Sequence, residues 1–324
     1  MCTAVSYQTR HHYFGRNLDL EYHYNEQITL TPRHFPFSFR MEKQMDTHFA
    51  MIGMATIADG YPLYYEATNE KGLSIAGLNF PGNACYFPPK EGKTNIAPYE
   101  LIPYLLGKCQ TVKEAKALLQ GMNLCSIPFS DQYPLSPLHW MIADQSSAIV
   151  VESMQDGLHV HPNPVGVLTN NPPFPYHLQN LCNYRSLSSA PHENTFAPDV
   201  ELPLYSLGMG AMGMPGDWSS PSRFVRAAFV RAHSLCDGSE AESVSQFFHI
   251  LGSVSQPRGC TYVRPEEYEL TLYSSCCNTD TGVYYLKTYD NARICSVDMQ
   301  KENLDSEKLI TWSPPLLQDV LTLN

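Results

Sequence analysis

Along the first eighty residues, apolar and β-branched side chains alternate with polar ones near 2–7, 13–20, 26–31, 49–57 and 72–79, and turn-forming residues separate the segments. A period of two sends successive side chains to opposite faces, so these segments predict strands. Between 98 and 121 the spacing becomes helical. Thr111 and Glu114 form a capping-box pattern ahead of Val112, Ala115, Leu118 and Leu119, and two short helices are expected there. Strand character returns at 138–143, 147–152, 157–161 and 165–169, with Trp140, Ile142, Ile149, Val150, Val151 and Val167 in the apolar positions, as in a run of antiparallel hairpins.

From about 172 to 220 the chain is rich in Pro, Gly and Ser, and so long an irregular stretch points to a lid or an assembly element. Ser220-Pro221 then opens a helix with Val225, Ala228, Phe229 and Ala232 on one face. A second helix begins at the Ser239/Glu242 capping box, carries Val244, Phe247, Phe248 and Leu251 as its apolar stripe, and is expected to close with Gly252 in the left-handed conformation. Strands are predicted again near 261–264, 269–275, 282–288 and 292–297. The order of strands, two helices, strands, two helices and strands suits sheets packed together with helices on their outer faces. No break in composition divides the chain, so residues 1–324 are expected to form a single domain with a long loop near 188–220.

Composition narrows the function. A net charge of −11 with scattered Lys and Arg offers no basic stripe for nucleic acid. No apolar run approaches the roughly 20 residues of a membrane-spanning helix, so no membrane insertion is expected. The start Met1-Cys2-Thr3-Ala4-Val5 has neither a basic n-region nor an apolar core, and the expected location is cytoplasmic. The ten cysteines include no C-x-x-C pair and the twelve histidines no metal-binding pair, so reduced thiols, no metal and no cofactor are expected.

Cys2 changes the picture because a small second residue permits removal of Met1, after which one residue owns a thiol and a free α-amine. Their unperturbed pKa values, about 8.5 and about 7.7–8.0, allow proton transfer near neutral pH, so nucleophile and base can be one residue. The strand-like stretch Tyr13-Phe14-Gly15-Arg16-Asn17-Leu18-Asp19-Leu20 carries polar groups that need partners. Paired antiparallel with residues 2–7, it would bring Arg16 and Asp19 near the chain terminus, Asp19 to hold the α-amine and Arg16 to favour the thiolate.

Met-Cys-Thr followed by Phe-Gly-Arg-Asn-Leu-Asp resembles the choloylglycine hydrolase family, which contains bile salt hydrolases and penicillin V acylases. The resemblance continues through Asn69-Glu70-Lys71-Gly72-Leu73, Ala76-Gly77-Leu78-Asn79-Phe80-Pro81, Glu91-Gly92-Lys93-Thr94-Asn95-Ile96, Leu138-His139-Trp140-Met141 and Gly166-Val167-Leu168-Thr169-Asn170. It extends to Met214-Pro215-Gly216-Asp217, Ser222-Arg223-Phe224, Phe247-Phe248-His249-Ile250-Leu251 and Asp298-Met299-Gln300-Lys301-Glu302-Asn303-Leu304. The resemblance implies an α+β fold, the four-layered αββα sandwich of the N-terminal-nucleophile hydrolases. It implies Cys2 as nucleophile, Arg16 and Asp19 as its orienting groups, Asn79 and Asn170 as amides near the reacting carbonyl, and Arg223 as a further cation. Asn170 and the backbone of Cys2 or Asn79 are the candidate oxyanion donors.

Asn79 in Gly-Leu-Asn-Phe-Pro resembles the bile salt hydrolases, whereas penicillin V acylases tend to carry Tyr there. The implied substrates are glycine- and taurine-conjugated bile acids, cleaved through a Cys2 thioester; a penicillin V acylase or broader N-acyl amidase is the alternative. A rigid apolar substrate body calls for apolar walls, and Leu18, Ile57, Phe129 and the rest of the 127–135 loop are the candidates. Glycine-selective members resemble Ser-Arg-Gly where this chain has Ser206-Leu207-Gly208, so Leu207 implies activity on both conjugates without strong glycine preference. Members resembling this chain are often homotetramers, and the 188–220 loop is the candidate assembly element.

Overall fold

In the computed structural model, which describes residues 1–324, the N-terminal strand lies inside a sheet rather than at its edge. Its strands, in chain order, are β1 (Cys2–Gln8), β2 (His12–Leu20), β3 (Gln27–Thr31), β4 (Met51–Ala58), β5 (Tyr61–Asn69), β6 (Ser74–Asn79), β7 (Thr94–Ile96), β8 (Met122–Leu124) and β9 (Leu138–Ala143). There follow β10 (Ala148–Met154), β11 (Gly157–Pro162), β12 (Val167–Leu168), β13 (Thr261–Arg264), β14 (Glu267–Asn278), β15 (Val283–Thr288), β16 (Cys295–Asp298) and β17 (Ile310–Trp312). The helices are α1 (Leu101–Lys108), α2 (Val112–Leu119), α3 (Phe174–Leu181), α4 (Ser220–His233) and α5 (Glu240–Gly252).

One sheet runs β12-β1-β2-β14-β15-β16 with β13 joined to β14, and the other runs β11-β10-β9-β6-β5-β4-β3-β17. The two face each other: Arg16 on β2 donates across the gap to the carbonyls of Tyr65 and Gly77, on β5 and β6. Helices α4 and α5 cover the outer face of the first sheet, where Phe224, Phe247 and Ile250 join the core that holds Val5, Leu272 and Cys276. Helices α1 and α2 cover the outer face of the second, packing Leu101, Leu105 and Ala115 with Ile75, Trp140 and Ile142. The result is the α+β, four-layered αββα sandwich. No helix is long and apolar enough to cross a membrane, all ten cysteines are free, and no group of three or more His, Cys, Asp or Glu could hold a metal ion.

Local chemistry explains most element boundaries. The Thr111 hydroxyl accepts from Glu114 N–H at 3.2 Å, and the Ser239 hydroxyl accepts from Glu242 N–H at 3.3 Å, so both predicted N-caps form. Glu114 reaches back one residue further than a capping box requires, to the N–H of Gln110 at 2.8 Å. Gly252 departs from expectation: it is the last residue of α5, and Ser253 follows in right-handed conformation, its N–H closing on the carbonyls of His249, Ile250 and Leu251. The helix therefore tightens into a further turn instead of reversing through a left-handed glycine.

Three differences matter for the site. Strand β5 falls where no strand was predicted, because Pro62 and Glu66 interrupt the apolar pattern and most of its second half is buried on both faces. Helix α3 occupies the beginning of the stretch expected to be irregular. The expected strand at 165–169 is only the two residues of β12, which leave the hairpin run β9-β10-β11 and join β1 in the opposite sheet. After α3, only short helical turns interrupt the loop up to Ser219, and Phe196, Tyr205 and Leu207 project from it into solvent.

Gly15 shows how tightly β2 is held. A Cβ there would run into the carbonyl of Ser275 on β14, and backbone in a sheet centre cannot step aside as a flexible side chain can. Gly15→Ala is expected to cost on the order of 3 kcal/mol of stability, read as a lower urea midpoint; an unchanged midpoint would show that β2 and β14 can separate cheaply.

Candidate active site

The antiparallel register of β1 and β2 sets Cys2 opposite Leu18 and Ala4 opposite Arg16. Since side chains alternate along a strand, Cys2 and Arg16 share the face turned towards the second sheet, while Asp19 belongs to the other face. The sequence therefore brings two opposite charges to the start of the chain from two sides. Met1 continues the pairing by one residue, its carbonyl accepting from Asp19 N–H at 3.0 Å. The α-ammonium of Met1 donates to the carbonyl of Asp19 at 2.8 Å and to the carboxylate of Glu269. It is thus the backbone of Asp19, rather than its carboxylate, that meets the chain terminus.

The Asp19 carboxylate is held elsewhere. Thr271 donates its hydroxyl to Oδ1 at 2.6 Å, Gln256 donates Nε2–H to Oδ2 at 2.9 Å, and Arg223 stands 3.9 Å from Oδ2. Arg223 comes from the first turns of α4 and is completely buried. Its Nη1 donates to the carbonyl of Cys2 at 2.6 Å and to Thr3 Oγ1 at 2.7 Å, its Nε to the carbonyl of Trp218 at 2.9 Å, and its Nη2 to Asn170 Oδ1 at 2.8 Å. Burial works against its charge and sets its pKa below the ordinary guanidinium value, with Asp19, Cys2 and Glu269 opposing the shift.

Asn170 follows β12 and faces Cys2 directly: its Oδ1 accepts the Cys2 N–H at 2.8 Å, and its Nδ2 donates to the backbone carbonyl of Asn79 at 2.7 Å. Ser220 and His177 fix its backbone, Ser220 Oγ accepting the Asn170 N–H at 2.8 Å and His177 Nε2 meeting the Asn170 carbonyl at 2.9 Å. The neighbouring Asn171 turns away and donates to the carbonyl of Pro81. Asn79, at the end of β6, makes no side-chain hydrogen bond within the protein.

Arg16 approaches from the inner side. Its Nη1 donates to Tyr65 and Gly77, its Nε meets the carbonyl of Asn17 at 3.4 Å and lies 3.9 Å from Glu66, and its Nη2 is buried without a partner. Burial opposes its charge, yet Cys2, Tyr273, Glu66 and Asp19 together raise its pKa above the ordinary value.

The structure thus gathers Cys2, Arg16, Asp19, Asn79, Asn170 and Arg223 around one strand end. The expected wall residues are spread out. Leu18 is buried in the core. Ile57 is half-buried near the β4–β5 turn. Phe129 sits in an aromatic cluster with Tyr61, Tyr99 and Tyr133, its carbonyl accepting from Arg40 at 2.6 Å. Leu207 is fully exposed. Sequence reading missed Glu66, Gln256, Thr271, Ser220 and Glu269, and for the first the only signal was an acid inside an aromatic, apolar stretch.

With Met1 in place, Cys2 is only 2% exposed. Three cavities are not lined by Cys2: one beside Trp218 and Gln256, one lined by Lys90, Lys93 and Lys116, and one beside His12 and Asp144.

Residues 2–312 match the sequence profile described as linear amide C–N hydrolases, choloylglycine hydrolase family. The chain is 54% identical over 312 residues to a bile salt hydrolase/transferase of Lactiplantibacillus plantarum, covering 96% of each. It is 40% identical to one of Clostridium perfringens over 96% of each. Among solved structures, a mutant conjugated bile acid hydrolase from Clostridium perfringens superposes with a TM-score of 0.93 at 38% identity over the whole of both chains. A penicillin V acylase from Agrobacterium tumefaciens, 19% identical with a TM-score of 0.76 over 96% of this chain and 91% of its own, shares the fold. Together with the sandwich and the buried strand end at Cys2, these matches establish that the chain belongs to the choloylglycine hydrolase family of linear amide C–N hydrolases.

Proposed function

We propose that this chain is a bile salt hydrolase that cleaves the amide of glycine- and taurine-conjugated bile acids through a thioester on Cys2, once Met1 has been removed. The observation that carries the reading is the grip on the first residues: Asn170 Oδ1 accepts the Cys2 nitrogen, and Arg223 holds both that same oxygen and the Cys2 carbonyl. When Met1 leaves, the same nitrogen becomes the α-amine, already oriented beside its own thiol. It takes the thiol proton, directly or through one water, as sulfur attacks the amide carbonyl. The tetrahedral intermediate collapses as the glycine or taurine nitrogen receives that proton and departs, and water then releases the bile acid from the thioester.

Charge on the carbonyl oxygen needs a donor. Asn170 Nδ2 already donates to the carbonyl of Asn79, so the Asn79 side chain, which has no partner in the protein, is the amide free to serve the oxyanion. Ile57 and Phe129 are the wall residues whose exposure suits a steroid body, whereas Leu18 backs Cys2 from within the core. The relatives' names support conjugated bile acids over penicillin V, since the acylase neighbour at 19% identity supports the fold alone. Exposed Phe196, Tyr205 and Leu207 on the long loop support homo-oligomer assembly, read here as a tetramer.

Asn79→Ala is expected to lower kcat by about 10²- to 10³-fold, with a far smaller change in KM; equal losses in 1/KM and none in kcat would assign Asn79 to ground-state binding. In a panel assay the protein should release both glycine and taurine from conjugated bile salts faster than phenoxyacetate from penicillin V, and Cys2→Ala should release none. Intact mass of the active protein should lack Met1, and full activity with Met1 retained contradicts the mechanism. Light scattering should give about four chain masses in solution, and a monomer would remove the assembly role of the loop.

A further inference from the structure

Beside Arg16 lies a buried carboxylate that the reaction does not use. Glu66 on β5 is 2% exposed and sits between the sheets. Tyr273 donates its hydroxyl to Oε2 at 2.8 Å, Tyr284 donates to Oε1 at 2.7 Å, and Oε2 lies 3.9 Å from Arg16 Nε. Removing a carboxylate and a guanidinium from water costs several kcal/mol for each ion, and apolar side chains could fill the same space without that cost. The arrangement therefore demands a reason beyond packing.

Arg16 supplies one. The carbonyls of Tyr65 and Gly77 take Nη1, and Asn17 and Glu66 face Nε, so only the buried, unpartnered Nη2 remains open. Cys2 is the strongest of the neighbouring groups that favour the Arg16 charge. We propose that Glu66 is the positioning residue for the cation of the Cys2 thiolate: it holds Arg16 by its Nε edge, keeps Nη2 open towards the sulfur, and tempers the charge that the sulfur feels. The inference rests on Cys2 being the nucleophile. Other charges also surround Cys2, namely Arg223, Asp19 and Glu269, but Glu66 acts through Arg16. Burial raises the Glu66 carboxyl pKa while Arg16 and the hydroxyls of Tyr284, Tyr273 and Ser275 oppose this, so its charge depends on those donors.

The test is the pH dependence of Cys2 alkylation by iodoacetamide in the mature protein, read on the N-terminal peptide by mass spectrometry. Glu66→Gln keeps the volume and removes the charge, so Arg16 pulls on the sulfur unopposed. The pH of half-maximal alkylation should fall by about half a unit to one unit, and kcat should fall roughly tenfold as the guanidinium loses its anchor. The double variant Tyr273→Phe/Tyr284→Phe removes the two tyrosine hydroxyls that favour the carboxylate, so the Glu66 carboxyl pKa rises, its negative charge is weakened and the midpoint should move the same way; it decides the matter if the Gln variant does not fold. A midpoint that stays or rises in a folded variant overturns the assignment. If alkylating Cys2 in the unsubstituted protein leaves turnover intact, the nucleophile reading itself fails and this proposal falls with it.

Discussion

The site depends on one amide oxygen with two donors. Asn170 Oδ1 receives the nitrogen of Cys2 and the guanidinium of Arg223, and Arg223 also binds the Cys2 carbonyl, so one side chain and one cation fix both backbone polar groups of Cys2. Neither partner is free to drift. Asn170 is tied through Ser220 and His177, and Arg223 is completely buried with each named bond ending on a carbonyl, a hydroxyl or an amide oxygen. A buried guanidinium with its nearest carboxylate at 3.9 Å is satisfied in its hydrogen bonds but only partly neutralised in charge. Its field is therefore left to act on the residue it holds.

The second cation reaches the same residue from the other side. Arg16 projects from β2 into the gap between the sheets, whereas Arg223 arrives from α4 on the outer face, and β1 lies between them. This is a consequence of sheet geometry rather than of sequence proximity: a central strand presents two faces, and with a sheet on one side and a helix on the other β1 is approached by charge from both. The sandwich thus explains why the nucleophile sits at the start of an inner strand, although an edge strand would have been easier to leave open.

Much of this was legible in the sequence. The polar residues of Phe14-Gly15-Arg16-Asn17-Leu18-Asp19 demanded partners, and the structure supplies them: Gly15 by close approach to β14, Asn17 through the carbonyl of Leu251, Arg16 and Asp19 around Cys2. The N-caps at Thr111 and Ser239 also read correctly, because they are local, although the reciprocal bond of each expected capping box is absent: Glu114 takes the Gln110 N–H and the Ser239 N–H goes to Asp237. What could not be read is what depends on distant pairing. Strand β5 was invisible because Pro62 and Glu66 break its apolar pattern and its second half, buried on both faces, loses its alternation. Thr271 and Gln256 reach Asp19 from positions more than two hundred residues away, with no motif of their own. Nor could the sequence tell that Asn170 spends its amide nitrogen on Asn79, which only the meeting of the two sheets decides.

The burial of Cys2 follows from the same geometry. As long as Met1 is present, the nitrogen of Cys2 is an amide, with no basic lone pair, and the residue is almost fully buried. Met1 is itself well seated: its ammonium is bound by Glu269 and by the Asp19 carbonyl, and its own carbonyl pairs with the Asp19 N–H. Cutting the Met1–Cys2 peptide bond therefore changes two things at once, converting a hydrogen-bonded amide into an amine and releasing Glu269 and the Asp19 backbone from the partner they hold. Meanwhile Asn170 and Arg223 contact Cys2 only through atoms that survive the cut, its nitrogen and its carbonyl oxygen. The frame that aims the nucleophile is thus complete before the nucleophile exists, and maturation needs no rearrangement of the fold to switch it on.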